Sequence, residues 1–199
     1  MTVPIILASG SSIRSQLLWQ AKVAHEVQIA RVDEQMIKSS LIAEGATPRD
    51  IADALAELKA SKISEKNPDA LVIGCDQVLE HAGVLLSKPE KPQEAIKQLQ
   101  MLRADRHTLL SAAVIYQGGK PQWRNVGVVR LMMRDASDVY ITDYVDRNWD
   151  SIRHAVGSYK LEEEGVRLFA RVDGDYFNVL GMPLLEILNY LTLRGDLAQ

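Results

Sequence analysis

Two short apolar runs without charges constrain the fold of this chain more than any other feature. One covers residues 3–8 and the other residues 70–74, and each is followed at once by small or polar residues. Runs of this length, bounded by turn residues, are typical of strands buried in a sheet. Segments with the apolar spacing of helices lie between and after them. This alternation predicts an α/β protein with a mixed sheet.

The remaining elements are predicted from spacing and turn residues. The clearest helix runs from Thr47 to about Lys66, where Pro48 follows a capping threonine at the helix start. Further helices are predicted after the serines at 9–12 and over 93–103, 135–148 and 183–193, with a strand over 166–172. Gly118-Gly119 between two apolar stretches predicts a β-hairpin. Because no repeat or linker interrupts the pattern, residues 1–199 are predicted to form a single domain.

Composition excludes several classes of function. The chain has 199 residues, 47% of them apolar, and a formal net charge of -3, which argues against a general nucleic-acid or membrane-surface binder. Its one cysteine, Cys75, rules out internal disulfides and a cysteine-rich zinc site, and its four histidines lack metal-ligand spacing. The chain shows no signal peptide and no apolar stretch long enough to span a membrane, so we expect a cytoplasmic protein.

The first candidate for chemistry is the turn Ser9-Gly10-Ser11-Ser12-Ile13-Arg14, between a predicted strand and a predicted helix. Backbone N–H groups at a helix start, small residues and a cation one turn later suit a phosphate group. An ordinary serine-capped turn explains the same residues equally well.

The second candidate is Asp76, which follows the apolar run Leu71-Val72-Ile73-Gly74-Cys75. We expect it at the carboxyl end of a strand, where open α/β sheets bind ligands, and there it could hold a metal or deprotonate water. A strand-ending turn residue is the alternative. Cys75 should point to the opposite face as a small core residue. Taken alone, Glu34, Lys59 and Lys88 are compatible with solvated surface charges.

Taken in order, these segments resemble the Maf family of nucleoside triphosphate pyrophosphatases. The matching stretches run along nearly the whole chain: Ile6-Leu7-Ala8-Ser9-Gly10-Ser11 with Arg14, Val32-Asp33-Glu34, Leu55-Ala56 with Lys59-Ala60, Val72-Ile73-Gly74 with Asp76, Lys88-Pro89, His107, and Gly174-Asp175-Tyr176-Phe177-Asn178-Val179 with Gly181 and Pro183-Leu184. The resemblance implies a Maf/Ham-like α/β fold, with a mixed central sheet flanked by helices and two lobes around a substrate cleft. It also implies a homodimer.

The activity implied by the resemblance is cleavage of a nucleotide between its α- and β-phosphates, dependent on a divalent cation such as Mg²⁺, Mn²⁺ or Co²⁺. Asp76 would be the catalytic base, and Glu34 and Asp76 would hold the metal. Ser9, Arg14, Lys59 and Lys88 match positions that bind the substrate phosphates. Several cations together with a metal could neutralise the roughly four negative charges of a triphosphate.

Three positions, Ile13, Gln77 and Glu162, match those that select the base within the family. The residues Gln77 and Glu162 resemble those of the branch that acts on 7-methyl-GTP. A physical reason is that a carboxylate such as Glu162 can accept hydrogen bonds from both adjacent donors of guanine. The chain departs from the family pattern at Ser12-Ile13, at residues 103–106 and at residues 156–163. These departures bear on substrate choice more than on activity.

Two alternatives to this house-cleaning hydrolase stay open. One is a dTTP/UTP pyrophosphatase of the same family. The other is a nucleotide-binding regulator of cell division without catalysis, against which the presence of Asp76, Glu34, Lys59 and Lys88 argues.

Overall fold

A computed structural model describes residues 3–198, and the contacts within it divide the chain into two compact units. The first unit comprises residues 3–77, 111–127 and 181–198, and the second comprises residues 78–110 and 128–180. None of the helices formed by residues 3–198 combines the length and the apolar character needed to cross a membrane.

The described residues form one mixed sheet with helices, which confirms the predicted α/β class. The strands are β1 (Ile5–Leu7), β2 (Glu26–Val27), β3 (Leu71–His81), β4 (Val84–Leu86), β5 (Arg106–Gln117), β6 (Lys120–Met133) and β7 (Phe169–Asp173). The α-helices are α1 (Ser12–Gln20), α2 (Glu34–Ala43), α3 (Pro48–Ser64), α4 (Pro92–Leu102), α5 (Asp138–Ile152), α6 (Tyr176–Val179) and α7 (Leu184–Arg194). The strand order is β2-β1-β3-β5-β6-β7, and β4 pairs with β3.

In the first unit, β1 lies between β2 and β3 and is parallel to both. Ile5, Ile6 and Leu7 align with Leu71, Val72 and Ile73, and all six side chains are buried. Helix α3 begins with the predicted Thr47 cap, which forms a reciprocal capping box with Asp50. The sequence pattern thus correctly predicts β1 and β3 as strands and α3 as a helix.

Gly74 explains how closely α3 packs against β3. A Cβ atom at this position would lie 2.2 Å from the carbonyl oxygen of Ala56 and 2.7 Å from the amide nitrogen of Ala60. Only glycine permits that approach, because both neighbours are helix backbone. Asp76 follows Gly74 by two residues and therefore leaves the strand on the same face, toward α3.

The second unit has its own apolar core, built from α4, α5 and the strand segments that it contains. Leu99, Leu102, Leu131 and Tyr144 are among its fully buried side chains. Strands β6 and β7 pair antiparallel, with an irregularity between Met132 and Met133.

The predicted hairpin is present, with Gly118 and Gly119 between β5 and β6. Both glycines have positive φ angles, 58° and 69°, as a two-residue hairpin turn requires.

Two expectations about local structure were wrong, and one helix was missed. Asp76 does not end its strand, because β3 continues to His81 through the buried Val78 and Leu79. The strand predicted over 166–172 begins only at Phe169, because residues 166–168 belong to a 3₁₀ helix, Glu164–Leu168. Helix α2 was not predicted.

Candidate active site

A buried ammonium group joins two carboxylates in the first unit. Nζ of Lys59, on α3, lies 2.6 Å from Oδ1 of Asp76 and 2.7 Å from Oε1 of Glu34. Lys59 is only 7% exposed, so it is not the solvated surface charge that its sequence context alone allowed. The structure therefore brings together three of the residues selected by the resemblance.

Each of these side chains owes its place to a local feature of the chain. Glu34 is the first residue of α2, directly after Asp33, whose side chain caps the helix by accepting the N–H of Met36. Lys59 and Asp76 meet because Gly74 lets α3 lie directly on β3. The contacts among Glu34, Lys59 and Asp76 thus depend on the cap of α2 and on the close approach between α3 and β3.

Burial controls the acidity of Asp76. Removal from water raises the pKa of its carboxyl group above the usual range, and the charges of Lys59 and Arg14 oppose this shift. Oδ1 accepts from Lys59, whereas Oδ2 has no hydrogen-bond partner among the residues of the structure. A carboxylate with raised basicity and one unused oxygen is suited to accept a proton.

Arg14 connects three segments of the first unit. Its Nε donates to the carbonyl oxygen of Gly181 at 2.8 Å, and its Nη1 donates to the carbonyl oxygen of Cys75 at 2.9 Å and to Oγ of Ser9 at 3.1 Å. Ser9 is buried at the start of the turn that leads into α1. Arg14 and Ser9 therefore lie beside the strand segment that carries Asp76.

Two of the residues matched to base selection also belong to the first unit. Nε2 of Gln77 donates to Oγ of Ser111 at 3.0 Å, and Ile13 is half-buried on α1. Cys75 is fully buried, and burial raises the pKa of its thiol to about 11. That burial agrees with the small core residue expected from the sequence.

Glu162 differs from the two glutamates that follow it in the second unit. Glu163 accepts from Ser151, and Glu164 accepts from Arg147 and Asn148, which lower the pKa of Glu164 to about 2. Glu162 is exposed and makes no hydrogen bond or ion pair with the described residues. Lys88, after β4, is also exposed in this unit.

Lys38 is a neighbour of the site that the sequence analysis missed. It follows Glu34 by one helical turn on α2 and is half-buried. Burial lowers the pKa of its ammonium group, and the negative charge of Asp76 acts in the opposite direction. The signal that could have found it is the i,i+4 spacing to Glu34, but that spacing is informative only once α2 is recognised.

The comparison with protein families shows which family the chain belongs to. The model of the Maf family, described as "Maf-like protein", matches residues 4–193. The chain belongs to the Maf family. The resemblance drawn from the short motifs is therefore confirmed over almost the whole length of the protein.

Maf relatives are similar to this chain along almost their whole length. A "Nucleoside triphosphate pyrophosphatase" of Roseobacter denitrificans is 68% identical over 197 residues, covering 99% of each chain. One with the same name from Ruegeria pomeroyi is 65% identical over 195 residues, covering 98% of each chain. A "7-methyl-GTP pyrophosphatase" of Brucella abortus is 43% identical over 188 residues, covering 94% of each chain.

The donor atoms in this Maf site fit a hard divalent cation. Glu34 and Asp76 supply carboxylate oxygens, the type of ligand that Mg²⁺ and Mn²⁺ prefer. No group of three or more His, Cys, Asp or Glu side chains with metal-binding geometry occurs within residues 3–198. Two carboxylates without a protein cage are typical of a cation that also takes ligands from a substrate phosphate.

Proposed function

We propose that this Maf protein hydrolyses a nucleoside triphosphate between its α- and β-phosphates. The products are a nucleoside monophosphate and pyrophosphate. The observation that carries the proposal is the buried Asp76 carboxylate with a free Oδ2, held by Lys59 beside Glu34. The names of the relatives at 68% and 65% identity support the same reaction class.

In the proposed reaction, Oδ2 of Asp76 takes a proton from a water molecule that attacks the α-phosphorus. The bond from the α-phosphorus to the bridging oxygen breaks, and that oxygen leaves with pyrophosphate. The raised pKa of Asp76 makes it a stronger base than an exposed aspartate. Lys59, close to the base, stabilises negative charge that develops on the phosphate oxygens.

We assign phosphate binding to Ser9, Arg14, Lys59 and Lys88, following the family resemblance. Ser9 stands at the turn before α1, whose first N–H groups also favour an anion. Arg14 retains the two hydrogens of Nη2, which no described residue accepts. Lys88 is exposed and thus accessible to a phosphate group.

We assign the divalent cation, Mg²⁺, Mn²⁺ or Co²⁺, to Glu34 and Asp76. When bound, it supplies positive charge that offsets the charge of the triphosphate. Lys59 contacts both of these carboxylates, so a cation bound there would share them with the ammonium group.

For the substrate, we propose a guanine nucleotide methylated at N7, such as 7-methyl-GTP. Guanine offers N1–H and an N2 amino group side by side, and the unengaged carboxylate of Glu162 can accept both. Uracil and thymine place carbonyl oxygens on either side of their N3–H, which a carboxylate repels. Gln77 and Ile13 are the other residues assigned to base selection, and the Brucella relative named for 7-methyl-GTP supports this choice.

A panel of nucleotides tests the proposal. Purified protein with Mg²⁺ or Mn²⁺ is incubated with 7-methyl-GTP, GTP, dTTP and UTP, with and without chelator, and pyrophosphate release is measured. We expect the highest kcat/KM for 7-methyl-GTP and no release with chelator. A preference for dTTP or UTP would assign the chain to the pyrimidine branch. Saturable binding without product would instead favour a regulator of cell division without catalysis.

Further proposals follow from the family resemblance alone: the whole chain works as one Maf domain, as a homodimer, in the cytoplasm. Two compact units within the chain are compatible with one catalytic domain.

A further inference from the structure

The edge of β3 that faces β1 loses its partner strand just before Asp76. The amide of Leu71 donates to Pro4, and the carbonyl of Ile73 accepts from Ala8, so alternate residues of β3 point toward β1. Cys75 is the next residue in this series. Because β1 ends at Leu7 and the chain turns at Ser9, β1 does not extend far enough to supply a donor for the carbonyl of Cys75.

Arg14 supplies that donor from α1. Its Nη1 lies 2.9 Å from the carbonyl oxygen of Cys75, where the next ladder bond would otherwise be. This carbonyl belongs to the peptide group that precedes Asp76. A fixed peptide plane at this point restricts the backbone from which the Asp76 side chain leaves.

Gly181 anchors the other edge of the guanidinium group. Its carbonyl oxygen accepts from Nε of Arg14 at 2.8 Å. Its φ angle is +92°, and a Cβ atom would lie 3.0 Å from Nη2, so a side chain at this position would press on Arg14. Three of the five N–H groups of Arg14 are thus engaged by protein acceptors.

The same arginine also orients Ser9. Oγ of Ser9 accepts from the amide of Ser11 at 3.3 Å and from Nη1 of Arg14 at 3.1 Å. A hydroxyl group has two acceptor positions and one proton. With both acceptor positions filled, the hydroxyl of Ser9 can only donate, which suits a phosphate oxygen.

We propose that Arg14 is a positioning residue that holds Asp76 and the Ser9 hydroxyl in their reactive arrangement, in addition to any contact it makes with substrate. It does so through the carbonyl groups of Cys75 and Gly181 and through Oγ of Ser9. The proposal rests on the proposed function, since it takes Asp76 as the base. Loss of Arg14 therefore lowers the rate of the chemical step more than it weakens substrate binding.

Kinetics of Arg14→Lys and Arg14→Gln test this role. Lysine retains the charge but lacks the planar fork that reaches three acceptors, so we expect kcat to fall about 100-fold in both variants. We expect KM to rise by a smaller factor than kcat falls, because the lost positioning acts on the transition state while the lost phosphate contact of Arg14 acts on substrate binding. Added guanidinium ion should restore part of kcat in Arg14→Gln. Arg124→Gln, which removes only surface ion pairs with Asp53 and Glu57, is the matched control and should keep wild-type kinetics.

The proposal is overturned if KM rises in both variants while kcat stays unchanged, because Arg14 would then act only as a phosphate ligand. Full activity of Arg14→Lys would overturn it as well, since charge alone would suffice.

A measurement without substrate separates this proposal from the proposed function. The ¹³C carbonyl resonances of Cys75 and Gly181 are recorded in the free protein, for the wild type and for Arg14→Lys. We expect both to move upfield in the variant as their hydrogen bonds are lost, whether or not the wild type releases pyrophosphate. Unchanged carbonyl resonances in a folded variant refute the positioning role. An inactive wild type with shifted resonances refutes the enzymatic function and leaves the positioning of the Asp76 backbone supported.

Discussion

Two opposing effects act on the carboxyl group of Asp76. It is almost fully buried, which raises the pKa of its carboxyl group, yet it contacts the ammonium of Lys59, which favours the ionised form. The result is a carboxylate held in place by one oxygen and free to react through the other.

Replacement of this carboxylate tests its role as base. Asp76→Asn keeps the shape of the side chain but removes its ability to take a proton. We expect pyrophosphate release to fall at least about 100-fold, the lower end of typical general-base contributions, as measured by steady-state kinetics. Asp69→Asn, at an exposed turn of the same unit, is the matched control and should retain full activity. Near-wild-type rates in Asp76→Asn would remove this residue from the mechanism.

Glu162→Gln tests the choice of base. An amide presents only one acceptor atom where the carboxylate presents two, and it carries no charge to attract an N7-methylated guanine. We expect kcat/KM for 7-methyl-GTP to fall about tenfold or more, with a smaller change for UTP. Glu163→Gln changes a neighbouring glutamate that already binds Ser151, and it should leave the preference intact. Equal losses for both nucleotides would contradict a specific role for Glu162.

At the level of elements, the contact between α3 and β3 determines whether the site forms. Gly74→Ala places a methyl group 2.2 Å from a helix carbonyl, and backbone on both sides cannot easily yield. We expect a loss of about 3 kcal/mol or more in unfolding free energy, at the upper end of overpacking effects, together with loss of activity. The measurement is equilibrium denaturation by urea.

Gly119→Ala is the control for Gly74→Ala. Unlike Gly74, this glycine has a positive φ, 69°, and no atom lies within 4 Å of a Cβ placed there. We expect only the backbone strain, about 1 kcal/mol, with activity retained. Equal losses in the two variants would show that the close approach at Gly74 contributes little.

The packing of β5 against the segment around Tyr159 makes the second unit sensitive to acid. His107 is buried, its Nε2 lies 2.8 Å from the hydroxyl of Tyr159, and Nδ1 has no hydrogen-bond partner among the described residues. Burial lowers the pKa of this imidazole to about 4, and His81 adds to the effect. The folded protein therefore keeps His107 neutral at pH values where the unfolded chain binds a proton.

Stability should reflect this difference. The unfolded chain protonates His107 near pH 6.5 and the folded chain only near pH 4. The contribution of neutral His107 to the unfolding free energy is therefore present above pH 6.5 and is lost as the pH falls from 6.5 to 4. The loss amounts to about 3 kcal/mol at pH 4. We expect His107→Asn to show a correspondingly flatter dependence of unfolding free energy on pH, and His154→Asn, at an exposed position, to follow the wild type. A His107→Asn curve parallel to the wild type would contradict the assignment.

Element types follow from the sequence wherever apolar spacing and turn residues agree, as in α3, α4 and the hairpin at Gly118-Gly119. Helix α2 escaped the analysis although Ile37 and Leu41 have helical spacing, because the segment is short and none of its residues belongs to the core. The extent of β3 was underestimated because Asp76 and Gln77 interrupt its apolar run, although the strand continues beyond them. Both errors concern elements that carry site residues, Glu34 and Asp76. The polar side chains needed for chemistry interrupt the apolar pattern by which an element is recognised.

For the molecule as a whole, short motifs identified the family, but spacing alone could not bring Glu34, Lys59 and Asp76 together. They are distant along the chain and meet only through the packing of α2, α3 and β3. Lys59 shows the difference most clearly, because its i,i+4 spacing from Leu55 and Ile63 places it on the buried face of α3 but does not tell which carboxylates it contacts.

The pairing of Glu34 and Asp76 with Lys59 predicts how the whole protein responds to metal removal. Lys59 already places a positive charge between Glu34 and Asp76, so folding should not depend on a cation. We expect EDTA to abolish pyrophosphate release while Tm, measured by calorimetry without nucleotide, changes by less than about 2 °C. A large drop in Tm would reveal a structural metal instead.

The single thiol of the chain has a practical consequence for spectroscopy. Cys75 is fully buried and its pKa is raised to about 11, so at neutral pH it should resist maleimides and similar reagents. Cysteines introduced at the exposed positions Gln122 and Asp143, one in each unit, would then be the only sites to accept spin labels or fluorophores. Labelled in this way without first deleting a native cysteine, the enzyme can be followed by distance measurements as nucleotide is added.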